Sequence, residues 1–134
     1  MTVRQAFAAA GLIAALTAAS CDSPTTPASP LVGIWTGTMN DARSGAGTLR
    51  LRLESGQAGI VSGTWSVTFP ERGNNNSGEI SSSAPASNLA FTFGCTPSGS
   101  GGMVGTLAGN RITGTYFALS CTGVTSGSMD LTKQ

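Results

Sequence analysis

From residue 31 onward, apolar and polar side chains alternate in short runs, each closed by a cluster of Gly, Asn, Asp, Ser or Pro. This period of two constrains the fold more than any other feature. It puts every second side chain on one face of a strand and gives a helix no apolar stripe. Leu49, Leu51 and Leu53 alternate with Arg50, Arg52 and Glu54. Val61, Gly63, Trp65, Val67 and Phe69 alternate with Ser62, Thr64, Ser66 and Thr68, and Leu89, Phe91, Phe93 and Cys95 share a third such face. The 19 glycines and the many Ser and Thr residues also work against long helices. The spacing predicts eight strands, near 31–40, 47–54, 59–69, 78–84, 88–95, 102–108, 111–120 and 124–132. The links are short, and Ala108-Gly109-Asn110 reads as a tight hairpin turn, so sequential strands are expected to pair. The expected fold is all-β: an eight-stranded antiparallel up-and-down meander closing into a small barrel, which leaves no exposed edge. A two-sheet β-sandwich is the alternative.

The residues before 31 read differently. Residues 1–20 have the organisation of an export signal, with Arg4 ahead of an apolar run from Ala6 to Ala19. That run is too short to span about 30 Å of hydrocarbon comfortably. It ends Leu16-Thr17-Ala18-Ala19-Ser20-Cys21, which resembles the lipobox of bacterial lipoproteins. The resemblance implies cleavage before Cys21, lipidation of its thiol and acylation of its amine. Ala18 and Ser20 also suit ordinary small-x-small cleavage, so plain secretion is the alternative. Asp22 after the Cys resembles an inner-membrane retention signal of some bacteria. Asp22 to Pro30 carries three prolines and no large apolar side chain, which favours an extended tether of ~3.1 Å per residue. The expected organisation is a signal peptide (1–20), a lipidated Cys21 with its tether (21–30) and a β-domain (31–134).

Cysteine arithmetic fits this organisation. Three Cys is an odd number for an exported chain; with Cys21 carrying lipid, Cys95 and Cys121 remain as one pair. A bridge between them would contribute roughly 3.5 kcal/mol through loop entropy; two unpaired buried thiols are the alternative. In a meander the fifth and seventh strands run the same way, so both cysteines reach one rim. The tether enters at the opposite rim, and the loops after strands 1, 3, 5 and 7 point away from a membrane.

Gly33-Ile34-Trp35, Gly63-Thr64-Trp65 and Gly114-Thr115-Tyr116 form a weak internal repeat with Gly two residues before an aromatic. Gly permits a strand to bend, and a neighbouring ring covers the gap; the same rings would also serve as the wall of a ligand cavity. The pattern resembles small ligand-binding barrels of the lipocalin and avidin-like (calycin-type) families. Gly33-Ile34-Trp35 is similar to their first-strand Gly-x-Trp, and Arg111-Ile112-Thr113-Gly114-Thr115-Tyr116 to an avidin-like Thr-Gly-Thr-Tyr strand. The resemblance implies a barrel with Trp35, Trp65, Phe91, Phe93 and Tyr116 as candidate cavity wall. It does not extend to the biotin site: avidin-type proteins carry Asn where this chain has Gly37, and Trp35 and Trp65 are its only tryptophans. The lipocalin Arg that stacks on the first Trp has only Lys133 as its counterpart near the chain end.

Only 10% of residues are charged, with 7 Lys+Arg, 6 Asp+Glu and no His. Without a basic face the chain has nothing to offer a nucleic acid, and without imidazole it lacks the commonest general base and zinc ligand. The carboxylates are scattered, with no spacing for a metal or a paired acid and base. No His activates the serines, and Gly99-Ser100-Gly101-Gly102 reads as a flexible loop rather than a phosphate cradle. The most polar stretch, with Arg72, Asn74, Asn75 and Asn76, is read as a loop and the candidate contact surface. The sequence therefore predicts no enzyme, cofactor or metal. It predicts an envelope lipoprotein, held to a bacterial membrane by its lipid, whose barrel binds an unidentified envelope protein or glycan. A carrier of a small apolar ligand and a passive structural lipoprotein are the alternatives. The 27 large apolar residues of 31–134 favour a filled barrel over a roomy one, since eight strands enclose just enough space for side chains.

Overall fold

The computed structural model describes residues 28–82 and 89–134. The expected signal peptide, Cys21, most of the expected tether, Ser83 and Ala84 of the expected fourth strand and Asn88 of the expected fifth lie outside the described residues. Eight strands follow one another: β1 (Gly33–Asp41), β2 (Gly45–Ser55), β3 (Val61–Phe69), β4 (Asn74–Ser82), β5 (Leu89–Gly94), β6 (Ser100–Ala108), β7 (Arg111–Leu119) and β8 (Ser126–Lys133). A single 3-10 turn, Gln57–Gly59, links β2 to β3. Each strand pairs antiparallel with the next, and β8 returns to β1, so the sheet closes into a barrel and not a sandwich. The register puts Leu53, Gly63, Ile80, Phe93 and Gly101 in one inward row, with Glu54, Ser62, Ser81 and Thr92 in the outward row beside it.

Three expectations change in detail. β4 begins at Asn74, not 78, so the stretch read as a polar loop is strand from Asn74 onward. β6 begins at Ser100, so most of the expected glycine-rich loop is ladder, Ser100 pairing with Gly94 and Leu119. β3 begins at Val61, because the left-handed backbone of Ala58 and Gly59 breaks the run before it.

The interior is full. Trp35, Trp65, Phe69, Met39, Leu49, Leu51, Leu53, Met103, Ile112 and Leu131 are all essentially inaccessible to solvent. A small barrel accommodates so many large side chains only if others are missing. Across the ladder, Trp65 faces Gly78, Phe93 faces Gly101 and Tyr116 faces Gly127. A Cβ at Gly101 would lie 2.3 Å from Phe93 Cζ, and one at Gly47 would lie 2.5 Å from Phe69 Cδ1. Each ring thus occupies the volume that a neighbouring strand's side chain gives up. The glycines of the internal repeat act otherwise. At Gly63 and Gly114 the missing Cβ would lie 1.7 Å from the Arg52 carbonyl oxygen and 2.2 Å from that of Val104. Those glycines let adjacent backbones press together.

Candidate functional site

The five candidate wall residues all point inward, and they pack against protein. Trp35, Trp65, Phe91, Phe93 and Tyr116 are each at most 4% exposed. Trp65 and Phe93 meet edge to face, with ring centroids 5.1 Å apart. The Trp65 indole donates to the Gly94 carbonyl at 2.8 Å. At the rim where β1 begins, Trp35 Nε1 donates to the Leu31 carbonyl at 2.8 Å, and Leu31 is itself buried. Lys133 Nζ lies 5.5 Å from the Trp35 ring centroid and donates to the Pro30 carbonyl at 3.0 Å. The lysine of β8 therefore lies over the first-strand tryptophan and ties down Pro30 ahead of β1.

The opposite rim is capped by covalent and polar links. Cys95 and Cys121 form a disulfide with a Cα–Cα distance of 5.5 Å, joining the β5–β6 and β7–β8 loops. Asp41, only 5% exposed, ends β1 and joins the β1–β2 turn to the β7–β8 loop. Its Oδ1 accepts from the Arg43 and Ser44 amides and the Thr125 hydroxyl, at 2.8, 3.0 and 2.9 Å. Its Oδ2 accepts from the Tyr116 hydroxyl at 2.8 Å and the Thr125 amide at 2.7 Å. Burial pushes this carboxyl up, but the amides of Thr125, Arg43 and Ser44 and the Tyr116 hydroxyl hold it below its ordinary value. Burial and the bond to Asp41 together raise the Tyr116 phenol far above its usual range.

The stretch expected as a contact loop is largely strand. Asn74, Asn75 and Asn76 belong to β4, and Asn76 is buried. Its amide nitrogen donates to the Thr96 and Thr122 carbonyls at 3.3 and 2.9 Å, and its Oδ1 accepts from the Ser77 and Thr96 amides. Asn74 Nδ2 donates to Ser44 Oγ at 3.2 Å. Asn74 and Asn76 bind the rim loops to one another, whereas Asn75 stays exposed on the outer face of β4. Arg72 stays exposed in the turn between β3 and β4. A polar stretch between two strands reads as loop in a sequence, yet here its amides substitute for missing ladder bonds where β4 and β5 diverge.

What the sequence did not mark lies on the outside. A concavity of about 920 Å3 crosses the outer face from β2 to the start of β6, and a second of about 540 Å3 adjoins it. Further round, Val104, Phe117 and Leu119 stand 58–66% exposed on the outer face of β6 and β7. Phe117 is partly accounted for by Gly102, the residue it faces across the ladder and over which its ring leans. Scans against protein-family models, curated proteins and solved structures return no match to this chain.

Proposed function

We propose that the protein is a non-catalytic, lipid-anchored component of a bacterial cell envelope, a calycin-like barrel that binds its partner on the outer surface. The filled interior carries this reading: the inward aromatics occupy the volume a carrier would need. The Lys133–Trp35 contact supports the calycin-like part, because it unites the first and last strands as the sequence resemblance implies. The Cys95–Cys121 bridge suits an exported chain, since such bonds persist in oxidising compartments. The tether enters at one rim and the capped loops lie at the other, an arrangement suited to display away from a membrane.

Two measurements test this. The full chain carrying Cys21→Ser should move from the membrane to the soluble fraction, and persistent membrane association would remove the lipid anchor. Native mass spectrometry of protein extracted from its own envelope should give the mass of polypeptide plus anchor alone. A reproducible further mass of a few hundred daltons that survives removal of the anchor would make it a carrier instead.

A further inference from the structure

We infer that the trough across the outer face of β2–β5 binds a neutral, extended oligosaccharide; this rests on the proposal that the barrel works through its exterior. The two concavities share Arg52, Thr64 and Glu79, so they form one trough running across the strands. A barrel is ordinarily convex outside; here Gly94 leaves an outward position open on the same face as Thr92, while Gly63, Gly78 and Gly101, whose missing side chains would point inward, line the trough with backbone alone. At Gly94 a Cβ would meet nothing within 4 Å. A flat ligand can therefore approach the backbone itself.

The chemistry of the walls selects the ligand class. Arg50 and Arg52 oppose Glu54 and Glu79, so the trough carries two charges of each sign and no net field. Phosphates or acidic chains would meet the two carboxylates, and an apolar ligand would leave ions and hydroxyls unpaired. A sugar is both donor and acceptor at every hydroxyl, and guanidinium and carboxylate groups bond such pairs two at a time. Arg52 and Glu54 pair with each other at 3.1 Å but are both about two-thirds exposed. An ion pair this exposed adds little to stability, so its groups are available to a ligand. The outward hydroxyls of Ser81 and Thr92 sit 3.4 Å apart on adjacent strands, continuing the polar floor toward β6. With strands ~4.8 Å apart, a ligand lying across them meets a new polar group at each strand. That favours a chain of sugar rings over a single ring.

The test uses detergent-extracted full-length protein on a printed array of neutral and acidic oligosaccharides, followed by titration with the best-retained member. Retention on extended neutral members is expected, with affinity at least tenfold weaker for Gly94→Met, which fills the trough, and for Glu79→Gln. Ser128→Ala, exposed on β8 away from the trough, should bind as the wild type does. Should Gly94→Met fail to fold, Arg52→Gln at an exposed position takes its place. Retention of no sugar, retention of acidic members alone, or equal binding by both trough variants would overturn the inference. So would a photo-cross-linker at Ser81 that attaches to an envelope protein instead of a glycan. Failure on the array with an intact anchor and no carried mass removes only the sugar site; a carried mass removes the outer-surface reading itself.

Discussion

Replacing Asp41 with alanine is expected to destabilise the barrel by about 3–5 kcal/mol at pH 7, because several buried donors lose their acceptor together. The amides of Arg43, Ser44 and Thr125 and the hydroxyl of Tyr116 all converge on this carboxylate. The Thr125 side chain joins them at 2.9 Å. Asp41→Asn should cost less, since an amide oxygen keeps some of these bonds while its nitrogen faces donors. The same site sets the pH limits. The folded carboxyl is held below its ordinary value of 3.8, so its contribution is complete above about pH 4–5 and is lost as pH falls through the folded value. Tyr116 works in reverse. Its phenol is raised above 10.0, so its contribution is complete below that pH and is lost as pH rises and the unfolded chain ionises. Urea denaturation followed by the fluorescence of Trp35 and Trp65 should therefore give a stability plateau between about pH 5 and pH 9, falling on both sides with slopes up to ~1.4 kcal/mol per pH unit for each proton. Asp41→Asn should flatten the acid fall, leaving the weaker contribution of Asp130, whose carboxyl is lowered by its exposed pairing with Arg111. Tyr116→Phe should flatten the alkaline one. An Asp41→Ala variant within 1 kcal/mol of wild type, or an unchanged acid limb in Asp41→Asn, would show that the rim does not depend on this network.

The fold was legible because its determinant is local. Alternation at Leu49, Leu51 and Leu53, and again from Val61 to Phe69, fixes which face is buried, and short turns leave sequential pairing as the economical route. Even the disulfide's rim followed, since strand direction alternates along a meander. The site was less legible, because it depends on relations between strands that no single segment contains. Asn76 looks like any loop asparagine until Thr96 and Thr122 are brought against it from two other loops. Asp41 did carry a local signal, an aspartate two and three residues before the amides it caps. Its bonds to Tyr116 and Thr125, 75 and 84 residues away, carried none. The trough is harder still to foresee. Its open outward position is Gly94, and a glycine in a strand marks a bend, a ring's resting place or an open groove equally well.

Trp65→Ala is expected to cost about 3–5 kcal/mol and, unlike a surface change, to give the barrel a property it lacks. Trp65 is 1% exposed and packs edge-on to Phe93, and its indole holds the Gly94 carbonyl where β4 and β5 diverge. Its neighbour across the ladder is Gly78, which has no side chain to fall into the space. The lining can relax only partly, since a Cβ at Gly78 would already lie 2.0 Å from the Gly94 carbonyl oxygen. A largely apolar cavity should result, with the Gly94 carbonyl left at its edge without the indole donor, and such cavities take up small apolar molecules. The variant should therefore gain thermal stability on adding benzene, in proportion to the logarithm of its concentration, whereas the wild-type protein should not respond. This comparison separates the two readings of the barrel. A filled interior has no room until an aromatic is removed, so uptake follows the substitution. A carrier has room already, so the wild type would respond as strongly as the variant, and the aromatics would be the wall of a binding site after all.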